Sequence, residues 1–365
     1  MANKPNSLYI HIPFCDHVCS YCDFTKLFYN QKFEKDYIKA LKTEIKKVVT
    51  NKVSTLYFGG GTPTSLSDEG FKEILKFAST YLNKNDYEFT VEANVENLTK
   101  EKLQIMKDLK VNRLSIGVQS TSNTLLEKIG RHHTYEEASK VVFLAKSMGF
   151  NNINIDLIYG FKNETLNDLK RDLENFIKLD IDHISIYSLI VEKGSIFYNK
   201  KYEEQEENES REFYEFIVKF LREHEYERYE ISNFARNKKY SKHNLTYWHN
   251  KEYFGCGLGA SGYVNNVRYE NTKSLTNYIK GNYVSSKEEI SKEMLEEYFL
   301  LTNLRLENGF KKEEYKKVFN VNFLDKYQSK IHDLKLDKYF NLSSDRICLN
   351  DEGLIMMDFV LYKLL

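Results

Sequence analysis

Short apolar-rich runs and amphipathic segments alternate along the chain from residue 7 to about residue 225. Strands are predicted at residues 7–12, 54–58, 87–93, 112–118, 152–159 and 183–189. The segments between them place apolar residues three and four positions apart, as in FKEILKF (71–77) and LKRDLENFI (169–177), which is typical of amphipathic helices.

Six strand–helix units in succession predict an α/β fold built on a parallel sheet that curls into a barrel. Eight such units close a barrel of the TIM type, so six predict an open, partial (β/α)6 TIM-like barrel with a cleft along its side. The charge-rich segment 200–212 is expected to be the exposed start of the sixth helix.

The alternation stops near residue 230, which predicts a change of architecture. We expect the barrel to occupy residues 1–230 and a glycine- and aromatic-rich segment to occupy residues 231–283. Residues 284–365 are expected to form a smaller α+β domain, mainly helical, with helices, a hairpin within YFNLSSDRICLNDEG and a last helix. That order is typical of a winged-helix module.

Composition narrows the classes of function. The 53 basic and 53 acidic residues cancel, which gives no electrostatic support for nucleic-acid binding. The N-terminal residues lack the apolar core of a signal peptide, and no run approaches the ~20 apolar residues of a membrane span. A soluble, cytoplasmic protein is therefore expected, in which the five cysteines are reduced.

Polar residues and glycines follow the predicted strands at their carboxyl ends. They are Cys15, Cys19 and Cys22 after the first strand, Gly59, Gly60 and Gly61 after the second, Glu92 and Gln119 at the ends of the third and fourth, and Asp156 in the fifth. Taken alone, Glu92 or Asp156 could be a helix-capping or salt-bridged carboxylate. Because these strand ends meet at one rim of such a barrel, together they predict a ligand site.

The three clustered cysteines allow two kinds of metal centre. With His11 or His17 they could form a Cys₃His zinc site, although zinc-finger cysteines usually come as separated pairs. Alternatively, three thiolates hold a [4Fe-4S] cluster and leave one iron open to a small ligand.

Several motifs together resemble the radical S-adenosylmethionine (SAM) superfamily, and within it the coproporphyrinogen dehydrogenase-like group. They are YIHIPFC with C-x₃-C-x₂-C, YFGGGTPTSL, VEAN, NRLSIGVQS, NIDLIYGF and HNLTYW. The resemblance implies that Cys15, Cys19 and Cys22 hold a [4Fe-4S] cluster whose open iron binds SAM. It also implies SAM contacts from Tyr9, Gly60, Gly61, Thr62, Glu92, Gln119, Arg131 and Asp156.

The group contains oxygen-independent coproporphyrinogen III oxidases and heme chaperones, and three features favour the chaperones. Cys22 is followed by Asp23 and Phe24, where the oxidases usually place a further cysteine, and only fourteen residues precede Cys15. The segment 243–248 resembles the His-Asn-x-x-Tyr-Trp signature that heme chaperones use in heme binding. It implies heme contacts from His243, Tyr247 and Trp248, with His249 as a rival iron ligand. If the resemblance is set aside, the residue types favour another interpretation, in which these are core residues that join two domains.

The resemblance therefore implies a heme chaperone that binds heme, SAM and a [4Fe-4S] cluster and delivers heme to acceptor proteins. The alternative is an oxidase that decarboxylates coproporphyrinogen III, and a zinc-bound structural adaptor is a third hypothesis. Expected partners are heme or a related tetrapyrrole, heme-acceptor proteins, a second copy in a homodimer and, if SAM is cleaved, an electron donor such as a flavodoxin. The expected location is the cytoplasm, at the membrane surface during delivery. Cys256 and Cys348 are expected to be small buried hydrophobes.

Overall fold

The computed structural model describes residues 4–365; residues 1–3, which belong to the predicted segment 1–230, lie outside the described part. The strands are β1 (Ser7–Ile12), β2 (Phe14–Cys15), β3 (Leu27–Phe28), β4 (Thr55–Gly60), β5 (Glu88–Asn94), β6 (Arg113–Gln119), β7 (Ile153–Tyr159), β8 (His183–Ser188), β9 (Glu227–Glu230), β10 (Asn233–Ala235), β11 (Phe254–Cys256), β12 (Ser261–Val264), β13 (Val267–Asn271), β14 (Val284–Glu289), β15 (Phe310–Lys311), β16 (Phe340–Leu342) and β17 (Arg346–Leu349).

The helices alternate with the barrel strands and then dominate the C-terminal part. They are α1 (Gln31–Val48), α2 (Asp68–Ser79), α3 (Lys100–Asp108), α4 (Asn123–Lys128), α5 (Tyr135–Ser147), α6 (Leu166–Lys178), α7 (Ile196–Asn199), α8 (Glu207–Glu223), α9 (Lys242–Trp248), α10 (Leu275–Ile279), α11 (Lys292–Asn303), α12 (Lys312–Phe319), α13 (Phe323–Asp333), α14 (Asp351–Ile355) and α15 (Met357–Leu364). Within residues 4–365, no helix is both long and apolar enough to span a membrane.

The main sheet has nine strands in the order β11-β1-β4-β5-β6-β7-β8-β10-β9. The six predicted strands are its central six, all parallel and in chain order. The two edge strands, β11 and β9, are not paired with each other, so the sheet stays open. The predicted open α/β barrel is thus confirmed, with β11 added in parallel at one edge and β10 and β9 added antiparallel at the other.

Local sequence sets where the barrel helices begin. In α5 and α6 the N-cap threonines, Thr134 and Thr165, accept a hydrogen bond from the backbone of Glu137 and Asp168, whose carboxylates bind back to the cap. This reciprocal capping box satisfies backbone donors that the first helical turn leaves free. Helix α8 begins at Glu207, so only the second half of the charge-rich segment 200–212 is helical.

Buried apolar residues form one large core within the barrel and a separate core in the C-terminal part. The C-terminal part contains α11–α15 and a three-stranded antiparallel sheet in which β16 and β17 form the predicted hairpin. Residues 284–289 differ from the helix expected at the start of this region. They form the exposed strand β14, which pairs with β13 and so belongs to the sheet of the preceding segment.

Candidate cofactor-binding site

A cleft of about 480 Å³ opens at the carboxyl ends of the barrel strands. The residues predicted for the cluster and for SAM that line it are Cys15, Cys19, Cys22, Gly60, Gly61, Thr62, Glu92, Gln119, Arg131 and Asp156. The topology therefore brings together all three cysteines and seven of the eight predicted SAM residues. The eighth, Tyr9, lies deeper in the barrel.

The cysteines lie at the start of a loop that the barrel holds in place. Cys15 ends β2 and is buried, whereas Cys19 and Cys22 are partly exposed to the cleft. Between them, Ser20 donates its backbone N–H to the carbonyl oxygen of Ile129 at 2.9 Å, which ties the loop to the end of α4. The loop thus presents the three thiols on one wall of the cleft.

Thiol chemistry at this wall suits an iron–sulfur cluster. Burial raises the pKa of Cys15 to about 11, and a hydrogen bond from the Thr62 hydroxyl, 3.6 Å from Cys15 Sγ, only partly offsets that rise. Burial also raises the pKa of Cys22. These thiols become thiolates only beside a strong positive partner, which iron supplies, and soft thiolates are the ligands that iron–sulfur clusters prefer.

The zinc alternative finds no support in this geometry. Over residues 4–365, no group of three or more His, Cys, Asp or Glu side chains converges on a point where one metal ion could sit. Both ring nitrogens of His11 are hydrogen-bonded, Nδ1 to the Tyr9 hydroxyl at 3.0 Å and Nε2 to the Thr25 carbonyl at 2.7 Å. The His17 ring packs against the His132 ring at a tilt of 32°, with ring centroids 3.8 Å apart. A [4Fe-4S] cluster requires a different geometry from a single zinc ion. Each cysteine thiolate binds its own iron, so the three sulfurs need not converge on one point.

A chain of hydrogen bonds joins the cysteine loop to the barrel. Arg131 donates to the Tyr21 hydroxyl at 2.8 Å and to Asn94 Oδ1 at 2.6 Å. The Asn94 amide donates to the Thr62 hydroxyl at 2.9 Å, and that hydroxyl donates to Cys15 Sγ. The Nε of Arg131 is buried and has no partner in the described part of the chain. An anionic ligand group would satisfy it.

The glycine turn is demanded by the protein's own packing. A Cβ on Gly59 would lie 2.9 Å from Glu92 Cδ, and one on Gly61 would lie 2.8 Å from the Phe14 carbonyl oxygen. Gly60 has a φ of +113°, a backbone conformation that residues other than glycine rarely adopt. A Cβ added at this position would lie 2.6 Å from the His11 ring. With no side chain possible, the backbone of Gly60 and Gly61 forms the cleft surface.

Two carboxylates line the cleft, Glu92 from β5 and Asp156 from β7. Glu92 accepts hydrogen bonds from the Tyr57 hydroxyl at 2.7 Å and from the Gly60 N–H at 3.2 Å. Burial raises its pKa to about 7, and the charge of Asp156 adds to the rise. Asp156 accepts from the Asn154 amide at 2.7 Å, and burial raises its pKa also. A cationic ligand group would restore the ionised form of either carboxylate.

Gln119 reaches the cleft from a strained backbone position. Its φ is +73°, and the pairing of β6 with β7 is irregular between Gly117 and Gln119. A Cβ on Gly117 would lie 2.8 Å from the Arg131 guanidinium and 2.9 Å from the Gln119 amide. The bulge therefore turns Gln119 toward the cleft beside Arg131, and such strain is typical of binding sites.

Tyr9 lies below the cleft in a stack of rings that runs toward the amino ends of the strands. Its ring centroid is 6.0 Å from that of Tyr57 and 6.5 Å from that of His243, and its hydroxyl bonds to His11. Tyr57 and His243 stack at 5.0 Å. Tyr9 thus supports the residues beneath the cleft.

Helix α9, which carries the His-Asn-x-x-Tyr-Trp segment, closes the barrel at the amino ends of its strands. The Glu88 carboxylate accepts the backbone N–H groups of Lys242 and His243, both at 2.9 Å. His243 is completely buried, with Nδ1 2.8 Å from the Thr55 hydroxyl and Nε2 2.7 Å from the Tyr247 hydroxyl. Iron ligation by His243 would require one of these bonds to break and α9 to move. Its heme role stays a prediction.

The other two residues predicted near heme lie where α9 meets the C-terminal part. The Arg305 guanidinium is 4.5 Å from the Trp248 ring centroid, a cation–π contact, and the buried Trp248 Nε1 has no partner within residues 4–365. His249 is partly buried just after the helix, and burial lowers its pKa. His243, Trp248 and His249 are absent from the lining of the cofactor cleft.

The cleft also contains polar residues that the sequence does not predict, among them Tyr21, Asn94 and Tyr187. Tyr21 and Asn94 complete the hydrogen-bond chain, and the exposed Tyr187 stands at the rim. Asn94 ends the VEAN motif at the carboxyl end of β5, which could have marked it as a site residue. Tyr21 lies between two cysteines in a loop whose path no periodicity predicts. Of the isolated cysteines, Cys256 is completely buried, as expected, whereas Cys348 is partly exposed, so the expectation of a buried side chain is wrong there.

Comparison with known proteins places these features in one family. The model of the radical SAM superfamily matches residues 9–176. The chain is 38% identical to the heme chaperone HemW of Lactococcus lactis over 377 aligned positions, covering 100% of this chain and 98% of that protein. It is 37% identical to the heme chaperone HemW of Bacillus subtilis, with 96% of each chain covered.

Among solved structures, the fold resembles coproporphyrinogen III oxidase (HemN) of Escherichia coli, a radical SAM enzyme. The TM-score is 0.86 at 21% sequence identity, covering 99% of this chain and 90% of that one. At this identity the likeness establishes the fold, including the C-terminal part, and leaves the activity to other evidence.

Proposed function

The chain belongs to the heme chaperone HemW family of the radical SAM superfamily, and from this premise we propose that it is a heme chaperone. It would bind heme together with SAM and a [4Fe-4S] cluster and would deliver the heme to acceptor proteins. The observation that carries the proposal is the identity of 38% to a heme chaperone over the full length of the chain. The arrangement of three cysteines and seven predicted SAM residues around one cleft supports it.

In this proposal Cys15, Cys19 and Cys22 hold the cluster. With one iron open beside SAM, the cluster would supply a low-potential electron next to a sulfonium. Thr62 would donate a hydrogen bond to the Cys15 sulfur, a contact that tunes the potential of such clusters. The cysteine loop stays closed against the barrel through its backbone bond to Ile129.

The remaining residues would bind and orient SAM. Arg131, whose Nε lacks a partner among the described residues, would pair with its carboxylate. Glu92 would accept from its ammonium group, and Asp156 would hold its ribose hydroxyls. Gly60, Gly61 and Gln119 would form the adjacent wall, while Tyr9 would support it from below.

The oxidase hypothesis is separated from the chaperone by one assay. The reconstituted protein is incubated anaerobically with coproporphyrinogen III, SAM and a reductant, with a known oxidase as the positive control. The chaperone proposal expects intact coproporphyrinogen III, and formation of protoporphyrinogen would defeat it. A third outcome, a colourless protein without iron–sulfur absorbance, would favour the zinc adaptor instead.

The finer predictions about partners remain part of the proposal. They are an electron donor of the flavodoxin type if SAM is cleaved, a homodimer, and a cytoplasmic location with delivery at the membrane surface. Sedimentation of the reconstituted protein tests the dimer, and a mass of one chain would exclude it.

A further inference from the structure

Lys26 lies where the cysteine loop returns to the barrel, and its side chain turns back toward the third cysteine. It follows Cys22 by four positions, lines the cofactor cleft and is partly buried. Its ammonium nitrogen, Nζ, donates to the Cys22 carbonyl at 2.6 Å and to the Phe24 carbonyl at 3.3 Å. A lysine on a protein surface usually extends its charged end into water. Here the charge is instead held against the backbone of the cysteine loop.

The backbone on both sides of Lys26 is anchored to the first strand region of the barrel. The Thr25 carbonyl lies 2.7 Å from His11 Nε2, and the Leu27 N–H donates to the Pro13 carbonyl at 2.7 Å. These bonds fix the main chain from which the Lys26 side chain projects. The side chain therefore reaches the Cys22 carbonyl from a rigid base, and it closes the turn between the third cysteine and the barrel.

The charge of Lys26 acts on the third cysteine. Burial raises the pKa of Cys22, and the charge of Lys26 and a hydrogen bond from the Phe24 backbone oppose that rise, whereas Cys19 and Asp23 add to it. A cation that favours the thiolate form of a ligand also favours any further negative charge that develops beside it. Lys26 is thus placed to stabilise an anionic centre at the cysteine loop.

Lys26 differs in this respect from the other cation near the cysteines, Arg131. The charge of Arg131 opposes the burial that raises the pKa of Cys15. In the proposed function, however, Arg131 pairs with the carboxylate of SAM, which cancels its charge. The hydrogen-bond partners of Lys26 in the described part of the chain are both neutral carbonyl groups. The charge of Lys26 therefore stays available to the cysteine side of the cleft.

Resting on the [4Fe-4S] cluster of the proposed function, we infer that Lys26 is a positioning residue of that cluster. Its hydrogen bonds hold the third cysteine in place, and its charge makes the cluster easier to reduce. Reduction adds one negative charge, which a nearby cation stabilises. Net charge and hydrogen bonding around a cluster are among the factors that set its reduction potential.

The test is an anaerobic redox titration of the reconstituted full chain without SAM, in which the electron paramagnetic resonance of the reduced cluster is followed. Lys26→Met removes the charge and the donor and keeps the length of the side chain. Lys26→Gln removes the charge and keeps an amide donor, and Lys26→Arg keeps both. Release of iron to a chelator is measured for each protein, and chemical denaturation shows that each is folded.

The matched control is Lys146→Met. Lys146 is also partly buried, and its Nζ also donates to two backbone carbonyls, those of Leu179 at 3.2 Å and Asp180 at 2.7 Å. It lies near the end of α5 and does not line the cofactor cleft. Its substitution removes the same charge and the same kind of contact at a place away from the cysteines.

We expect Lys26→Met and Lys26→Gln to lower the reduction potential, and Lys26→Arg and Lys146→Met to keep the wild-type value. At the wild-type midpoint, the ratio of reduced to oxidised cluster should fall about threefold or more, which is about 28 mV at about 59 mV per tenfold for one electron. Solvent screens part of the charge, so the shift is modest. Lys26→Met should also release iron about threefold faster or more, and Lys26→Arg should restore the wild-type rate.

Three results overturn parts or all of the inference. If Lys26→Met and Lys26→Gln keep the wild-type potential, or if Lys26→Arg falls as far as they do, the charge of Lys26 does not set the potential. If Lys26→Met releases iron at the wild-type rate, its hydrogen bonds do not hold the loop. A wild-type protein that shows no iron–sulfur absorbance after reconstitution would refute the proposed cluster itself, and that failure is visible before any potential is measured.

Discussion

At the scale of single residues, Glu92 is a buried carboxylate whose ionisation costs the folded protein stability. Burial raises its pKa to about 7, with Asp156 adding to the rise, and hydrogen bonds from Tyr57 and Gly60 and the charge of Arg113 oppose it. A carboxyl pKa raised on folding means that the folded state holds the proton more tightly. The stability contributed by Glu92 is therefore present at low pH and is lost as pH rises from about 4.5 to about 7.

The first prediction concerns the pH dependence of SAM binding. Glu92 would accept from the SAM ammonium only when ionised, so affinity should fall about tenfold between pH 8 and pH 6. Glu92→Gln should bind SAM more weakly at pH 8 and lose most of this slope, as measured by equilibrium binding. Because Asp156 faces the same cleft and its pKa is also raised, Asp156→Asn is measured in parallel. A full pH slope in Glu92→Gln would contradict the assignment.

A second prediction concerns the same residue without ligand. The glutamine variant keeps an acceptor for the Tyr57 hydroxyl but carries no charge to bury. We expect Glu92→Gln to raise the free energy of unfolding at pH 8 by about 1–3 kcal/mol, with a gain that shrinks toward pH 5. Urea denaturation at the two pH values measures it. A variant less stable than the wild type at pH 8 would show that Glu92 is structural.

At the scale of elements, helix α9 closes the barrel at the amino ends of its strands. Its first backbone N–H groups are held by Glu88, and its buried histidine is bonded on both ring nitrogens. Burial lowers the pKa of His243 to about 3, so the folded protein keeps it neutral. A lowered histidine pKa adds stability above the unfolded value of 6.5, and that stability is lost as pH falls below it.

The third prediction concerns the hydrogen bonds of the buried His243 in α9. His243→Ala should lower the free energy of unfolding at pH 7.5 by about 2–4 kcal/mol, because it leaves Thr55 and Tyr247 without a partner. His249→Ala, at a partly buried neighbouring position, is the control and should cost about 1 kcal/mol or less. Denaturation curves of the two variants show whether His243 has the expected structural role. Loss of heme binding in a His243→Ala protein of unchanged stability would instead support a ligand role.

Much of the barrel and its rim could be predicted from sequence. The spacing of apolar residues marks the strands and helices, and the polar residues of the rim lie at the ends of the strands. The six central strands were placed within about two residues of their observed ends, since each buried strand is followed by a helix with its own apolar stripe. Residues at strand ends, such as Glu92 and Asp156, were found for the same reason. Strand β11 was not predicted: three residues in a glycine-rich segment pair with β1, nearly 250 positions away in the chain. Nor does a motif reveal that both nitrogens of His243 are already bonded.

At the scale of the whole molecule, a network of ion pairs joins the barrel to the C-terminal part. Arg228, whose side chain is 1% exposed, binds Glu307 at 2.6 Å and also pairs with Asp351. Arg222 donates to both oxygens of Asp351 at 2.9 Å. These residues come from α8, β9, the segment after α11 and the start of α14, so the network ties the last helix and strand of the barrel region to the C-terminal part.

The fourth prediction is that this network holds the two parts together. Arg228→Ala removes a buried guanidinium and its packing, while Arg222 still pairs with the partly exposed Glu307 and Asp351, so the substitution should cost about 1–3 kcal/mol. The control Arg211→Ala breaks an exposed pair with Glu215 and should cost less than about 1 kcal/mol. Hydrogen exchange should show lost protection concentrated in α14 and α15. Equal effects of the two substitutions would contradict the role of the network.

The central claim, that this chain carries heme, is tested most directly by the stoichiometry of heme binding. Hemin is titrated anaerobically into the wild-type protein with its cluster reconstituted and SAM present, and the absorbance of bound heme is followed. A heme chaperone should show saturable binding that ends at one heme per chain. A signal that rises without saturation, or no binding at all, would contradict it.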